Sequence, residues 1–211
     1  MAVRRWRWQD PAELPRKVVS SGGILAIPTE SSYGLAVDPQ SRGAVGRVFA
    51  LKGRPADKPL PVVAGSLEQL DLLGVNWRSS PLRPLTALWP AALSLLLPLR
   101  KPIAASGGET TLVVRIPDHP RLRSLLLALG TPLTATSANP SAESSLVDPE
   151  EVERMLEGTD SMIIDDGLLP GGSPSTIVGW ADGDLKVLRR GRYPLDRIQV
   201  CLDRATEGAE R

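Results

Sequence analysis

The apolar residues of this chain come in short runs, each cut off by proline, glycine or a polar loop, and segments with helical spacing lie between them. That alternation restricts the fold more than any other feature, because it calls for strands and helices that interleave along the chain. Ile24-Leu25-Ala26-Ile27 follows Gly22-Gly23 and stops at Pro28-Thr29-Glu30, the pattern of a buried strand whose exit is a first candidate site loop. Residues 61–64, 93–97, 111–116, 133–135 and 161–164 read as further strands, and 176–180 with 185–189 as a hairpin turning through Ala181-Asp182-Gly183-Asp184.

The helices announce themselves by spacing and by their ends. Ala44, Val45, Val48, Phe49 and Lys52 share a helical face, and Gly53 suits the left-handed residue that closes it, with Lys52 in the last turn facing unpaired carbonyls. Ser66-Leu67-Glu68-Gln69 has the form of a capping box, for a helix ending near Gly74. Residues 120–129 turn Leu122, Leu125, Leu126 and Leu129 inward before Gly130, and Asp148-Pro149-Glu150-Glu151 supplies a cap, an N1 proline and acids at a helix start. Leu195, Ile198 and Leu202 mark a last amphipathic helix. With no repeat or dividing linker, the expectation is one α/β domain over residues 1–211, its core at about 10–200 with a short C-terminal tail.

Charge and composition exclude several functions. A net charge of +1 supplies no global field for nucleic acid, although 52–58 and 186–192 are basic and 148–166 acidic. Cys201 alone allows no internal disulfide, and with His119 it makes no zinc cluster. The N-terminus lacks an apolar signal core, and the stretch around ALSLLLPL is too short to span a bilayer, so a cytoplasmic protein without membrane association is expected.

Several strand ends lead into PTESSYG, KGRPADK, the Arg115 segment, TSANPS, SPST and LRRGR. Ligands of α/β sheets bind beyond strand ends, so these loops are candidates to converge on one crevice, and their arginines, lysines, hydroxyls and amides suit an anion. In FALKGRPADKPLPVV, Lys52, Arg54 and Lys58 sit on an exposed connector stiffened by prolines. Other chemistries fit poorly. GGSPST lacks the lysine and helix of a phosphate-binding P-loop, and His119 in IPDHP reads as a turn-stabilising residue. Asp165-Asp166 reads as an exposed pair, with magnesium binding the alternative, and Trp6 and Trp8 as an edge strand packing on the core, with RNA stacking the alternative.

The ordered set PTESSYGL, KGRPADKPLPV, VVRIPDHP, TSANPS, PSTIV and LRRG, which runs across nearly the whole chain, resembles the YrdC-type threonylcarbamoyl-AMP synthases. Lys52/Arg54 and Ser137/Asn139 match that family's KxR and SxN signature, and the chain looks like the short single-domain form. The resemblance implies a YrdC-like fold, a twisted mixed sheet with flanking helices around a positively lined cavity. It also implies a nucleotidyltransferase that makes threonylcarbamoyl-AMP and diphosphate from L-threonine, bicarbonate and ATP, for tRNA threonylcarbamoyladenosine modification completed by partner proteins. By the family pattern, Lys52, Arg54, Ser137 and Asn139 are catalytic, and Thr29, Ser31, Tyr33, Arg115 and Ser175 surround threonine. Lys52, Arg54, Lys58, Thr111, Ser137, Asn139, Ser145 and Arg189 would bind ATP, with Mg2+ carried by phosphates and water rather than by protein ligands. A carbamoyl-adenylate-forming relative and a non-catalytic module that binds RNA weakly in the basic cavity are the alternatives. The departures are Ser31 in place of threonine, WPAALS at 89–94, Ala142 in place of glycine, and Val63 where a histidine is common.

Overall fold

The computed structural model describes residues 3–53, 58–140 and 143–209. The chain opens with β1 (Arg4–Trp6), α1 (Glu13–Ser20), β2 (Ile24–Pro28), β3 (Tyr33–Ala36), α2 (Arg42–Lys52), β4 (Val62–Val63) and α3 (Leu67–Leu72). After a 3-10 turn at Arg83–Leu88 come β5 (Leu93–Pro98), a second 3-10 turn at Ala104–Ser106, β6 (Thr111–Arg115), α4 (Pro120–Leu129), β7 (Leu133–Thr134) and β8 (Thr136–Ser137). It closes with α5 (Pro149–Leu156), β9 (Ser161–Ile164), β10 (Thr176–Ala181), β11 (Asp184–Arg189) and α6 (Leu195–Ala209).

The interleaved α/β pattern expected from the sequence is present, and its strands are divided between two mixed sheets. One has the order β1-β9-β2-β3-β8, the other β11-β10-β5-β6-β4-β7. Each combines parallel and antiparallel neighbours, for instance β2 parallel to β9 and antiparallel to β3. Strand β2 shows why its sequence has no polar alternation. Ile24 and Ala26 enter one apolar core while Leu25 and Ile27 enter another, so both faces are buried. The larger core also takes Val62, Leu93, Leu95 and Val114 from the second sheet.

The sheets meet where the chain passes from β7 to β8 through Ala135. Thr134 belongs to the second sheet, yet its N–H donates to Val37 O at 2.9 Å and its hydroxyl accepts from Val37 N at 3.0 Å, beside the first sheet. Ala135 N donates to Pro61 O at 2.8 Å. This short crossing is what delivers Ser137 and Asn139 to the seam. The sequence reading made β8 part of a polar loop, because two residues paired with Gly34 and Leu35 are too few to leave a periodic signal.

Local stop signals mostly act as expected. Gly53 ends α2 at φ 58°, Gly130 ends α4 at φ 75°, and the Asp148 carboxylate accepts from Glu150 N at 2.8 Å. His119 caps α4, its Nδ1 accepting from Leu122 N at 3.1 Å. Ser66 is different. Its side chain makes no cap bond, and Gln69 is buried, accepting from Gly65 N and donating to Leu126 O at 2.8 and 2.7 Å. The expected capping box is therefore replaced by a bridge that fastens α3 to α4. Trp6 is buried in β1, at the edge of the first sheet, as the edge-strand reading expected, whereas Trp8 lies half-buried in the turn that follows the strand. Among the described residues no helix is long and apolar enough to cross a membrane.

Thr134→Val keeps the side-chain shape but leaves the buried Val37 N–H without this acceptor. The expected cost is about 1–3 kcal/mol, read as a lower urea midpoint at unchanged m-value. An unchanged midpoint would show that the seam does not depend on this hydroxyl.

Candidate functional site

Five of the six segments predicted to converge do so around a cavity of about 370 Å³ lined from both sheets, while KGRPADK contributes no lining residue among those described. The β2–β3 turn contributes Thr29, Glu30, Ser31 and Ser32, and Tyr33 follows at the start of β3. Ser137 comes from β8, Arg115 from the end of β6, and Arg189 from the end of β11, while Ser145, Ser175 and Arg192 project from loops. Asn139 is buried and Thr111 half-buried at the start of β6; neither lines the cavity, and exposed Lys58 lies outside its wall. Arg54 and Ala142 fall outside the described residues.

Lys52 is the largest revision. Expected on an exposed connector, it is 5% exposed and points beneath the cavity floor. Its ammonium donates to Ser137 O, and to Asn139 O and Oδ1 at 2.7 and 2.8 Å. The helical spacing placed Lys52 correctly in the last turn of α2, on one face with Val45, Val48 and Phe49; the exposed-connector expectation does not hold for it because that face is buried. Asn139 Oδ1 also accepts from Ser137 Oγ at 2.5 Å, and its Nδ2 donates to Glu143 O. Lys52 and Asn139 thus make a supporting layer behind Ser137.

Arg115 is held by a residue the sequence reading passed over. Its Nη1 donates to Glu30 Oε2 at 2.6 Å, and Glu30 Oε1 accepts from Asp118 N at 2.8 Å. Both side chains are 11% exposed, so the pair is largely desolvated and its geometry matters. Burial pushes the Glu30 carboxyl up, but the Arg115 charge and these hydrogen bonds outweigh it and hold the group below its usual range. Glu30 stands inside the quoted PTES loop, and its signal was a lone acid among hydroxyls at a strand end. Ser94 and Arg192 were also missed; Ser94 Oγ lies 2.9 Å from Ser175 Oγ, and Arg192 Nη1 donates to Glu30 O at 2.9 Å.

Tyr33 is fully buried, with its hydroxyl donating to Gly167 O at 2.9 Å and accepting from Asp166 N at 3.1 Å. Burial pushes its phenol up to about 12, so it remains a neutral brace across physiological pH. Burial, with the nearby charge of Arg115, lowers the pKa of Arg189, although a guanidinium stays protonated throughout. The Asp165-Asp166 pair is neither exposed nor arranged around a cation. Asp166 takes bonds from Trp8 and Arg121 and lies 3.1 Å from His119 Nε2, while Asp165 lies 3.6 Å from Arg5. Among the described residues no three His, Cys, Asp or Glu side chains converge as a metal-binding group.

Among the described residues the lining therefore combines three guanidiniums, one carboxylate and several hydroxyls, an arrangement able to hold a polyanion and align it. The profile of the Sua5/YciO/YrdC family, described as telomere recombination, matches residues 17–191. A threonylcarbamoyl-AMP synthase of Bacillus subtilis is 36% identical over 183 residues, covering 85% of this chain and 53% of that protein. One from Pseudomonas putida is 32% identical over 185 residues, covering 87% of this chain and 97% of that protein. The crystal structure of Pyrococcus abyssi Sua5 complexed with L-threonine superposes with a TM-score of 0.84 at 30% identity, covering 95% of this chain and 61% of that one. The chain spans about half the length of the Bacillus relative and nearly all of the Pseudomonas one.

Two outcomes follow from this geometry. Lys52→Ala strips a charged donor from buried acceptors, so it should lower stability by roughly 1.5–3 kcal/mol as well as disturb Ser137; a midpoint equal to wild type would restore the exposed-connector reading. Because the folded-state pKa of Glu30 lies below its unfolded value, its contribution to stability is present above about 4.5 and lost as pH falls through the depressed folded value. Wild type should accordingly lose stability more steeply than Glu30→Gln below that pH in acid unfolding curves, and parallel curves would contradict the pairing.

Proposed function

The chain belongs to the Sua5/YciO/YrdC family, and from that premise we propose that it is an L-threonylcarbamoyladenylate synthase. In this reading L-threonine, bicarbonate and ATP give threonylcarbamoyl-AMP and diphosphate. The observation that carries it is the convergence of Arg115, Arg189, Ser31, Ser137 and Ser175 on one cavity, with no histidine or cysteine in its lining among the described residues. The similarity to synthases over most of the chain supports it, as does the likeness to a structure complexed with L-threonine.

The chemistry asks for what such a wall supplies. Threonine's amine attacks the bicarbonate carbon; the C–N bond forms as a C–O bond breaks, and the departing hydroxyl leaves as water with an amine proton, giving an N-carboxylate. One oxygen of that group attacks the α-phosphorus of ATP, the bond to the bridging oxygen breaks, and diphosphate departs with the electron pair. Charge neutralisation and in-line alignment are the protein's tasks. We assign Arg115 to the threonine carboxylate, already oriented by Glu30, with Thr29, Ser31 and Ser175 nearby and Tyr33 bracing the pocket from behind. Arg54, Lys58, Thr111, Ser137, Ser145 and Arg189 are assigned to ATP, and Lys52 and Asn139 to holding Ser137 in place. Magnesium accompanying ATP would sit on phosphate oxygens and water. We place the chain, acting as one catalytic unit, in the cytoplasm, passing its product to proteins that modify tRNA.

Diphosphate release should require ATP, threonine and bicarbonate together, tested by omitting each in turn. Release that ignores threonine would defeat the substrate assignment, and salt-sensitive RNA binding indifferent to ATP and threonine would favour the non-catalytic alternative. Arg115→Ala should raise the KM for threonine by roughly tenfold or more, the loss of a charge-assisted hydrogen bond, with the KM for ATP little changed.

A further inference from the structure

We propose that Thr176 is a positioning residue that holds residues 189–193 as a strap over the cavity, fixing two of its three arginines, Arg189 and Arg192, toward an anion. Thr176 opens β10 and is fully buried. Its hydroxyl donates to Tyr193 O at 2.8 Å and accepts from Gly191 N at 3.1 Å and Tyr193 N at 3.2 Å. A hydroxyl has one proton and two lone pairs, so the strap takes its full capacity. No other role in the cavity is left for it.

The strap is tied on both sides of that hydroxyl. Arg192 N donates to Pro174 O at 2.9 Å, and Arg189 Nε and Nη2 donate to Ser175 O at 3.1 and 2.9 Å. Arg189 Nη2 also reaches Ser175 Oγ at 3.0 Å. At its far end Arg192 Nη1 holds Glu30 O, on the loop that carries Ser31. Gly191 allows the close approach, since a Cβ there would lie 2.2 Å from Pro174 O and 2.4 Å from Ser175 C. The backbones touch at Gly191, where a side chain would force them apart. Both arginines line the cavity while anchored through main-chain oxygens, so less ordering remains to be done when an anion enters.

This inference rests on the anion-binding reading of the cavity and is tested with inorganic diphosphate as the probe, independently of turnover. Thr176→Val should weaken calorimetric diphosphate affinity about tenfold, equivalent to one lost hydrogen bond, with Thr176→Ser close to wild type. In Thr176→Val the Gly191 and Tyr193 amides should also lose hydrogen-exchange protection. A merely structural threonine would lower Tm and leave affinity unchanged. In the wild type, diphosphate should raise protection at the same two amides, a measurement that does not need the variant to fold. The proposal is overturned by unchanged affinity in Thr176→Val, by equal losses in the valine and serine variants, by an absent protection change in wild type, or by a wild type that does not bind diphosphate. Failure of the three-substrate release assay with intact diphosphate binding would sink the synthase reading and leave the strap standing.

Discussion

A lysine ammonium buried beneath the Ser137–Asn139 segment is the constraint on which the site depends. Moving such a charge out of water costs several kcal/mol unless oxygen acceptors replace the lost hydration. Here Ser137 O, Asn139 O and Asn139 Oδ1 supply them, and all three come from one short stretch after the sheet crossing. The segment cannot rotate away without stranding the charge. Its curl around Lys52 leaves the Ser137 side chain on the cavity wall, and links the end of α2 to the seam between the sheets.

Above that floor, the electrostatic problem is to keep guanidiniums together before any ligand arrives. Glu30 answers part of it by pairing with Arg115, while Arg189 and Arg192 spend some of their donors on Ser175 O and Glu30 O. These partners reduce repulsion and fix side chains that would otherwise lose rotamer freedom on binding. An incoming carboxylate or phosphate then meets donors already placed, which is the form of preorganisation that the proposed adenylate-forming reaction requires.

Much of the fold was legible. Alternation of short apolar runs with helical spacing located most strands, and α4 was read with the bounds it has. The elements missed were β3, β8 and α1. The first two are only four and two residues long, and α1 has Pro15 as its third residue and Ala12 at its start, with no side-chain cap to mark the helix. Of the site, the loops were legible because strand ends with clustered hydroxyls and cations are chemically unusual. Less so were the partners. Glu30 and Ser94 act through contacts with Arg115 and Ser175, which lie 85 and 81 residues away in the chain.

The sequence by itself determined where the chain turns, caps and extends, because those choices depend on near-neighbour sterics and local hydrogen bonds: Gly53 in the left-handed region, Asp148 at a helix start, β-branched and leucine runs in strands. Only the tertiary structure decided that Lys52 faces the interior, that Gln69 bridges two helices instead of completing a box, and that the Thr176 hydroxyl holds a strap fifteen and seventeen residues on. The physical reason is common to all three. A polar group's role is set by which partner replaces water when it is buried, and that partner is chosen by packing across the chain.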